Sequence, residues 1–600
     1  MHLFGNHDEY NGKRRIHIVK NKDRIQRILR ICSLVVSIVT IACIFCYHGL
    51  YITPRVKNLI RWVIYGSLFF YVAKYFIMLF YSLHRGNYIK QSWGEFLIIL
   101  VLIAQFISIN IFHFSFIDKQ NFENIYLIFI QFYFLIIVLV ELAKASSTLG
   151  KYQLSPPILM VASFLFLIAM GTILLMMPRM TTNGISFIDA LFTATSASCI
   201  TGLSVVSTSA CFTFKGQVVI LMMIQLGGMS ILSFATFFST FLSRSMVGLR
   251  YQYMIRDMMS SDRLSDSVGL LRSIVLTTFI IEAAGVAFLF TYWKSTGFFI
   301  SDKQNLFFSI FYTVSAFNNG GFVLIDDSLL NLGVPGSYFP QVVIMALVFL
   351  GGIGFVTIRD FFSRRYIRER NKYRWKTLMP QTKIVLYVTF AIIIIGSVLF
   401  FLIEYNGTLK NVGGLGNKIF TSIFQVVTCR TSGFNVLDVN LMHISTVLLI
   451  LVMIFIGGSP SSTGGGIKTT TLFIVIKSVI ATIKGKKDIE FNHKAISASL
   501  VERATTILLL SLTFIAISCF LLTVVQPDVQ LLPALFETSS AFTTCGLSTG
   551  ECANWNWMAK LILIVNMYCG RIGTLTLAFA LTRHKKESPH QYPDLYIMLG

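Results

Sequence analysis

One stretch of this 600-residue sequence recurs four times in related form, first as TSASCITGLSVV at residues 195–206. The other three copies are VSAFNNGGFVLI at 314–325, VVTCRTSGFNVL at 426–437 and SSAFTTCGLSTG at 539–550. Each copy carries a glycine at the same place, namely Gly202, Gly321, Gly433 and Gly546, and these are separated by 119, 112 and 113 residues. Similar segments at such even intervals indicate an internal repeat, which outweighs any interpretation of one segment alone.

Each of these four glycine segments lies between two apolar spans. A shorter amphipathic stretch such as SFIDALFTATSA (186–197) leads into the segment and has room for about two or three helical turns. Because that length cannot cross a bilayer, it suits a half-helix that enters the membrane and turns back. The sequence therefore predicts an all-α polytopic membrane protein built from four membrane–pore–membrane repeats.

The composition also favours one large membrane body. Hydrophobic residues make up 55% of the chain and charged residues only 13%, against about 25% charge in soluble proteins. The net charge of +23 is concentrated in short Lys- and Arg-rich segments between apolar spans, as in cytoplasmic loops of membrane proteins. This distribution argues against a nucleic-acid binder. We expect the apolar spans to lie in the lipid bilayer. The ten cysteines form no CxxC pair, so we expect no disulfide framework.

Four further apolar spans precede the repeats, near residues 31–49, 60–82, 96–113 and 125–143. A polar segment containing Pro156 and Pro157 follows them and is a plausible boundary. We divide the chain into a basic cytoplasmic N-terminus (1–30), an extra four-helix transmembrane module (31–150), and four pore repeats (151–265, 266–380, 381–500, and 501–600 with the C-terminal tail).

The distribution of basic residues predicts the orientation. With the N-terminus inside, the basic loops that end the four repeats all fall on the cytoplasmic side. The densest of them is RDFFSRRYIRERNKYRWKTLMPQTK at 359–383. We therefore expect a multi-pass protein of the plasma (bacterial inner) membrane with both termini in the cytoplasm. Arg55, Lys57 and Arg61 are an exception, since they lie in a loop assigned to the outside.

The repeated glycine has a chemical use at membrane depth. Glycine reaches backbone angles that other residues avoid, so it allows consecutive carbonyl oxygens to face one axis and replace the hydration shell of an ion. The C-terminal end of each half-helix would add partial negative charge. Four such segments would close a ring around a cation. The alternative, in which each glycine only turns the chain between two spans, does not require the four segments to resemble one another.

The segments LFTATSASCITGL, SAFNNGGF, TCRTSGF and FETSSAFTTCGLSTG resemble, in order, the four filters of the Trk/Ktr/HKT superfamily of K⁺ transporters, and most of all its bacterial TrkH and KtrB subunits. The spans that follow them agree too: LMMIQLGGMSILSFATF (221–237), LVFLGGIGFVTI (347–358), IFIGGSPSSTGGGIKTTT (454–471) and NMYCGRIGTLTLAFAL (566–581). The resemblance covers residues 158 to about 585 and leaves out the four leading spans.

The resemblance implies channel-like K⁺ uptake through four repeats around a pseudo-fourfold axis. It further implies a homodimer and a separate cytoplasmic nucleotide-binding gating subunit of the TrkA/KtrA kind, with no enzymatic cofactor. Some plant members carry Ser at the first filter position and prefer Na⁺, so Gly202 favours K⁺. Departures from the family pattern are Cys199, Cys429 and Cys545 close to the filter and Gly320 where Ala is common. The expected ion-binding residues are Thr201, Gly202, Asn319, Gly320, Gly321, Thr431, Ser432, Gly433, Cys545 and Gly546.

The segment GGSPSSTGGGIKTTT (457–471) interrupts a very long apolar stretch that begins near His443. Its glycines, proline and small hydroxyl residues disfavour a helix at mid-membrane. In the family, the matching segment is a flexible loop beneath the filter that obstructs the pore. The resemblance therefore implies a gate, whereas the alternative is a kink between two packed helices. The expected gate residues are Gly457, Gly458, Ser459, Gly464, Gly465, Gly466, Lys468 and Arg571.

Three charged side chains fall inside the repeats at unusual places. Arg571 lies in the last apolar span, and by resemblance it contacts the gating loop between Ser459 and Thr463 and repels cations; the alternative is an arginine that snorkels to the inner surface. Glu282 is interpreted as a packing contact paired with a nearby Ser or Lys, with a role in the ion path as the alternative. Arg430 is expected to anchor the third glycine segment by hydrogen bonds to neighbouring carbonyl groups, with a direct ion-repelling role as the alternative.

Two alternatives to channel-like conduction can be weighed against the sequence, one within transport and one outside it. A symporter that couples K⁺ to H⁺ or Na⁺ would need titratable residues at membrane depth, and the spans hold few besides Glu282 and Glu141. A membrane-embedded hydrolase would need a His/Asp/Glu cluster or a Ser–Lys dyad, and the spans assemble neither. We therefore expect a transport protein and not an enzyme. The leading spans could also serve as a sensory module, although nothing in them identifies a ligand.

Overall fold

The computed structural model describes residues 28–29, 31–33, 35–80, 156–229, 264–325, 338–372, 378–486, 488–492 and 494–581. The predicted spans near 96–113 and 125–143 lie outside these residues, as do most of the basic N-terminus and the basic loops predicted to end the first and last repeats.

Two helices represent the leading part of the chain, Ile31–Gly49 and Pro54–Phe80. The second begins earlier than the span near 60–82, because proline is well suited to the first turn of a helix. Arg55, Lys57 and Arg61 therefore lie on the first turns of this helix, and the expectation that they belong to a loop is wrong.

The turn between the two leading helices contacts the body of the protein. The backbone N–H of Arg179 donates to the Gly49 carbonyl oxygen at 3.0 Å. Lys215 Nζ donates to the His48 carbonyl oxygen at 3.2 Å, and the Arg179 guanidinium lies 5.2 Å from the centre of the Tyr51 ring. These contacts join the leading helices to the segment between Met177 and Lys215.

The remaining helices follow the same order four times: an entry helix, a short helix, a glycine segment and an exit helix. The entry helices are Pro156–Leu175, Leu264–Thr296, Pro380–Glu404 and Ala498–Val525. The short helices are Phe187–Cys199, Asp302–Phe317, Leu415–Cys429 and Leu531–Thr543. The exit helices are Phe214–Met229, Phe339–Gly352, Ile444–Phe455 and Trp557–Ile572. Three-residue to four-residue helical turns at Thr208–Cys211, Thr408–Asn411, Val439–Leu441 and Glu551–Asn554 lie in the connections.

Three exit helices are followed by a break and another helix. After the second, Phe355–Phe362 continues at an angle of 102°, and Arg364–Lys372 follows it. After the third, an irregular loop leads to Thr469–Ile483, and after the fourth, Gly573 leads to Thr574–Leu581. Gly354 and Gly573 have φ of 86° and 90°, which only glycine adopts without strain. The breaks therefore occur where glycine permits a sharp change of direction.

The first and second short helices begin at side-chain caps, and the first and fourth end at left-handed residues. Ser186 and Ser301 accept hydrogen bonds from backbone N–H groups of the first turn, which satisfies donors that a helix start leaves free. The first and fourth short helices end at Ile200 and Thr544, whose φ values are 59° and 52°. A left-handed residue at this position stops the helix, so each glycine segment starts close to a helix C-terminus.

The described helices have the lengths and surfaces of membrane spans. Five of them are long and apolar enough to cross a bilayer, or six if the bent pair Phe339–Gly352 and Phe355–Phe362 counts as one span. Ile394 and Leu402 on the third entry helix are 61% and 65% exposed, as expected for side chains that face lipid. The buried apolar residues pack between entry, short and exit helices and surround the polar glycine segments.

A small hairpin departs from the predicted all-α fold. Ile489–Phe491 pairs antiparallel with Lys494–Ile496, and Ile489 lies opposite Ile496. Asn492, between the two strands, has φ of 51°, which asparagine tolerates better than most residues and which a tight hairpin turn requires. The hairpin connects Thr469–Ile483 to the fourth entry helix.

Candidate ion-conduction site

The glycine segments meet in the interior of the protein. Gly202, Gly321, Gly433 and Gly546 all have positive φ, at 87°, 67°, 64° and 93°. A side chain is strained in this region of backbone space, so the same conformational demand is present at all four predicted positions.

Each glycine also lies against its neighbour in the ring. A Cβ added to Gly202 would lie 3.0 Å from the Cα of Gly321, and one added to Gly321 would overlap the Ser432 carbonyl oxygen. A Cβ on Gly433 would lie 2.7 Å from the carbonyl carbon of Gly546. One on Gly546 would overlap the Thr201 carbonyl oxygen and so closes the circle. The structure thus brings together the four segments that the sequence analysis aligned.

The ring is polar although it is buried among apolar helices. Thr201, Asn319, Thr431 and Ser432 are at most 3% exposed. Within the described part of the chain, the hydroxyl groups of Ser196, Ser198 and Thr201 have no hydrogen-bond partner. Buried hydroxyl and carbonyl oxygens without partners are costly unless something occupies the space they face. Carbonyl and hydroxyl oxygens are hard donors that suit a dehydrated alkali cation.

Three of the four segments share the same local backbone. The N–H groups of Thr201, Gly320 and Cys545, each just before the glycine, donate to the carbonyl oxygens of Ser196, Ser315 and Ser540 at 2.8, 2.6 and 3.0 Å. The residue before each of these donors, namely Ile200, Asn319 and Thr544, has positive φ.

The third segment differs from the other three. Thr431 does not have positive φ within the described backbone, and the N–H of Ser432 bonds to the Thr428 carbonyl oxygen at 3.0 Å. Val427 occupies the place of the shared serine. The third segment is therefore more helical than the others.

The irregular loop 457–468 lies against the glycine segments. The Asn319 side-chain amide is 3.0 Å from Thr463 Oγ1, and the Gly465 N–H donates to Thr544 Oγ1 at 2.9 Å. A Cβ on Gly464 would lie 2.6 Å from Thr431 Cγ2. The loop thus contacts the second, third and fourth segments at the residues two positions before the aligned glycines.

The loop is also seated in the break of the second exit helix. The Ser459 N–H donates to the Gly352 carbonyl oxygen at 3.0 Å, and the Phe355 N–H donates to the Ser461 carbonyl oxygen at 3.0 Å. Helix-end groups that would lack partners at such a break are therefore satisfied by the loop. Lys468 Nζ donates to the Gly464 carbonyl oxygen at 2.6 Å and holds the loop from within.

Two arginines, the buried Arg430 and the half-buried Arg571, hold the loop from outside it. Arg571 donates through Nη1 to the Thr463 carbonyl oxygen, and through Nη2 to the Gly227 carbonyl oxygen at 2.7 Å. Arg430 Nη2 donates to the Gly457 carbonyl oxygen at 3.2 Å. Arg571 therefore bridges the loop and the end of the first exit helix, in the range of partners expected from the sequence, while Arg430 bonds to the loop.

Glu282 has different partners from those expected. It is 5% exposed and accepts hydrogen bonds from Gln225 Nε2 and Asn318 Nδ2, each at 3.1 Å. The expectation of a nearby Ser or Lys as partner is wrong, because Glu282 faces the first exit helix and the end of the second short helix, where the nearest polar groups are amides.

Several residues at the site were not singled out by sequence reasoning. Glu537 in the fourth short helix is buried and accepts hydrogen bonds from Ser548 Oγ at 2.6 Å and the Thr549 N–H at 2.7 Å. These bonds fix the chain directly after Gly546. Gln225, Asn318 and Thr544 are neutral and lie in ordinary-looking polar stretches, so only the repeat alignment pointed near them. For Glu537, the sequence signal that could have identified it is a carboxylate within an apolar stretch.

The cysteines close to the ring are buried in packing contacts. Cys545 Sγ donates to the Cys429 carbonyl oxygen at 2.7 Å and thereby joins the third and fourth segments. Cys199 and Cys429 are fully buried, and all ten cysteines are free thiols where the structure describes them. In the described residues, no group of three or more His, Cys, Asp or Glu side chains is placed to hold a metal ion.

Comparisons with known proteins give matches over most of the chain. The model of the TrkH family, described as a cation transport protein, matches residues 126–591. That match starts before residue 158 and so takes in the apolar span near 125–143, which lies outside the described residues.

Individual relatives match over most of their length. The chain is 35% identical over 455 residues to the Ktr system potassium uptake protein B of Bacillus subtilis, covering 75% of this chain and 97% of the relative. It is 32% identical to the potassium/sodium uptake protein NtpJ of Enterococcus hirae, covering 75% of this chain and 98% of the relative.

A solved structure shares the fold. The potassium transporter TrkH from Vibrio parahaemolyticus superposes with a TM-score of 0.56 at 18% identity, covering 83% of this chain and 99% of that chain.

Proposed function

Because this chain belongs to the TrkH family of cation transport proteins, within the Trk/Ktr/HKT superfamily, we propose that it is a potassium uptake protein with channel-like conduction through its four glycine segments. The observation that carries the proposal is the closed ring in which Gly202, Gly321, Gly433 and Gly546 share positive φ and each lies against the next. Carbonyl oxygens held at such a ring replace the hydration shell of a cation without rearrangement of the protein.

The proposed architecture is four membrane–pore–membrane repeats about a pseudo-fourfold axis. Each set of entry helix, short helix and exit helix supplies one quarter of the ring, and the entry helices begin at Pro156, Leu264, Pro380 and Ala498. The C-terminal ends of the short helices approach the ring, which adds partial negative charge where a cation would sit. The leading helices are proposed as an extra module attached to the first set.

Potassium is the proposed ion. The names of two similar relatives include potassium uptake, and one of them also includes sodium. The first segment carries Gly202, where a serine side chain would lie against Gly320 and Gly321. Channel-like conduction is favoured over H⁺ coupling because the groups that line the ring in the described structure are backbone carbonyls, hydroxyls and an amide. Coupled transport would require a titratable group to change charge with each cycle.

We assign gating to loop 457–468 and its arginines. The loop contacts three of the four glycine segments and is held by Arg571, Arg430 and Lys468. A loop made of glycines and small hydroxyl residues has few side-chain contacts of its own, so a modest change in its surroundings can move it. Its contacts with Thr431 and Thr544 leave it beside the proposed ion path.

The filter is tested by substitution of two glycines. In proteoliposomes, Gly321→Ser and Gly433→Ser should each reduce K⁺ over Na⁺ selectivity by about tenfold, equivalent to about 1.4 kcal/mol between the two ions. Tracer fluxes of both ions, normalised to folded protein, give the ratio.

A matched glycine separates filter geometry from backbone strain. Gly297 also has positive φ, at 64°, but a Cβ there would meet nothing within 4 Å. Gly297→Ser should therefore leave selectivity unchanged. Unaltered selectivity in both filter variants would rule out the glycine ring as the selectivity filter.

A homodimer and a cytoplasmic nucleotide-binding gating subunit are the proposed partners, with both termini of the chain in the cytoplasm. The chain itself carries no GxGxxG after a strand pattern, so such a domain would come from another subunit. The helix Arg364–Lys372 supports a docking site, because it is strongly basic and Asp360 anchors it through Arg370 at 3.2 Å. Anchoring fixes the helix in place and leaves exposed charges such as Arg368 for a partner.

Charge reversal tests the docking site. Arg368→Glu should weaken co-purification of the gating subunit and make the remaining association more sensitive to salt, since rim charges act mainly through long-range attraction. Lys410→Glu is the control, because Lys410 is exposed in the turn Thr408–Asn411 on the proposed outer side. Equal co-purification with wild type and Arg368→Glu would contradict docking at this helix.

A further inference from the structure

Glu282 is a buried carboxylate that the proposed ion path does not use. It lies on the second entry helix, is 5% exposed, and has each oxygen facing an amide nitrogen. Gln225 Nε2 donates to Oε2 and Asn318 Nδ2 donates to Oε1, both at 3.1 Å. A carboxylate that accepts at both oxygens orients its donors strongly, because hydrogen bonds to a charged group are stronger than those between neutral groups.

The three side chains form a closed triangle. Asn318 Nδ2 also donates to Gln225 Oε1 at 2.8 Å. The triangle therefore connects the first exit helix, the second entry helix and the end of the second short helix. A Cβ on Gly228 would overlap the Asn318 side chain, so the amide is also confined by the backbone of the first exit helix.

Asn318 lies within the second glycine segment, at the C-terminal end of the second short helix and three residues before Gly321. Its side-chain nitrogen also lies 3.0 Å from the Val314 carbonyl oxygen at the end of the short helix, so its two hydrogens are shared among three acceptors. Asn319 and Gly321, immediately after it, have φ of 58° and 67°. A strained backbone persists only where the surrounding structure holds it, and the Asn318 amide attaches the chain directly before these residues to the first exit helix and the second entry helix.

From this geometry we propose that Glu282 is a positioning residue for ion selectivity, which with Gln225 fixes the Asn318 amide and so the backbone of residues 319–321. The proposal rests on the proposed function of the glycine ring. Glu282 acts through Asn318 and does not touch the ion. In the described structure, two residues that correspond to Asn318 have other partners: Arg430 bonds to the Gly457 carbonyl oxygen in the gating loop, and Thr543 bonds to the Ser539 carbonyl oxygen of its own helix, whereas Asn318 bonds to an entry-helix side chain.

The donors and acceptors of the triangle follow a fixed pattern, which substitutions can disrupt and restore. In E282Q, the new amide nitrogen faces a donor, and turning over the Gln225 amide only moves the mismatch to Asn318. In Q225E, two carboxylates face each other. In Q225E/E282Q, every bond is recovered, because the glutamine at 282 accepts from Asn318 and donates to the glutamate at 225, which also accepts from Asn318. Net charge and composition are the same as in wild type.

The test measures K⁺ and Na⁺ fluxes of the full-length protein in proteoliposomes, normalised to folded protein. E282Q and Q225E should each lower the K⁺ over Na⁺ ratio by about tenfold, the size expected for one mismatched buried hydrogen bond, and Q225E/E282Q should return it to within about threefold of wild type. Glu404→Gln is the matched control, since Glu404 is a fully buried entry-helix carboxylate bonded to Thr408 and Thr446. It should lower the melting temperature with no change in the ratio.

Two results would overturn the positioning role. One is an unchanged ratio in both single variants with lower melting temperatures, as a purely structural carboxylate would give. The other is a double variant that is less selective than either single variant. If E282Q does not fold, comparison of Q225E with Q225E/E282Q carries the test in the same way. Gly321→Ser separates this proposal from the filter itself: an unchanged ratio there contradicts the proposed function, whereas a changed ratio there with unchanged E282Q contradicts only the role of Glu282.

Discussion

Arg571 bonds to two backbone carbonyl groups from different parts of the chain, Thr463 in the loop and Gly227 in the first exit helix. A guanidinium group is suited to this because its donors form a fixed planar fork. The cation is also placed against the ring of Phe164, 5.8 Å from the ring centre. An arginine held on three sides in this manner does not reach for the membrane surface, so the geometry supports the gating interpretation over snorkelling.

Removal of this charge should open the path. Near a cation path, a positive charge at 4 Å raises the barrier by roughly 1–4 kcal/mol for effective dielectrics between 80 and 20, or several-fold to several-hundred-fold in rate. Arg571→Ala should therefore raise basal K⁺ flux with little change in selectivity, and Arg571→Lys should raise it less because the charge is kept. Flux per folded protein in proteoliposomes is the measurement.

The exposed Arg503 on the fourth entry helix provides the control for loss of one arginine. Arg503→Ala should leave flux unchanged. If Arg571→Ala lowers the yield of folded protein and flux per molecule does not exceed that of wild type, Arg571 is structural and the gate lies elsewhere.

At the residue scale, the sequence identifies positions where the residue type is energetically unfavourable in its surroundings or recurs at regular intervals. Arg571 and Glu282 are conspicuous because a charge within an apolar span is expensive, and the four ring glycines are conspicuous because they repeat. The hydrogen-bond partners of Glu282 could not be predicted from the sequence. Gln225 and Asn318 are 93 residues apart and neutral, and they meet only because two helix ends are brought together by the packing of the four sets.

The break after the second exit helix shows how one element holds another. Gly354 has φ of 86° and ψ of 146°, a conformation that is essentially confined to glycine. It directs Phe355–Phe362 away at 102° and leaves the groove that receives Ser459 and Ser461. The sequence identified the irregular loop from its glycines and proline, but not this break, since GGIG within an apolar stretch is equally typical of close helix packing.

Gly354→Ala should loosen the loop. A Cβ there would overlap the Pro460 carbonyl oxygen, and the backbone would be strained by about 1–3 kcal/mol. We expect higher basal K⁺ flux, unchanged K⁺ over Na⁺ selectivity, and a lower melting temperature. Flux and melting temperature measured on the same preparation separate loosening from unfolding.

Gly485→Ala is the matched control, because Gly485 also has positive φ, at 62°, with nothing within 4 Å of an added Cβ. It should give a small loss of stability and normal flux. Equal fluxes in Gly354→Ala, Gly485→Ala and wild type would show that the contact between loop 457–468 and the break at Gly354 does not limit conduction.

The short helices and glycine segments could be predicted because two independent patterns agree there, namely a length too short for the bilayer and a repeated glycine. The hairpin Ile489–Phe491 and Lys494–Ile496 could not, because two strands of three residues leave little alternation to detect and depend on the turn at Asn492. Sequence patterns therefore identify the elements that the membrane constrains better than those outside it.

The whole molecule joins an unrepeated leading part to the four sets. The contacts between them in the described structure are few and lie at one end, where Gly49 accepts from the Arg179 N–H and His48 accepts from Lys215. None of these residues belongs to the glycine ring. In addition, the chain covers 97% and 98% of two relatives while only 75% of this chain is matched, so those relatives are built almost entirely from the shared part.

Truncation should therefore spare selectivity. The first variant begins at residue 126, where the family match starts, and the second begins just before Leu154. Both lose the contacts at Gly49 and His48, so expression and melting temperature should fall, while the K⁺ over Na⁺ ratio per folded protein should remain within about twofold of wild type, a shift of under about 0.5 kcal/mol. The first should be the more stable, because the family match includes the span near 125–143.

Lys215→Ala in the full-length chain, which removes one contact and no helix, should reproduce part of the loss in stability. A well-folded truncation that no longer prefers K⁺ would mean that the leading helices help to shape the ring, and the division of the chain at about residue 150 would be wrong.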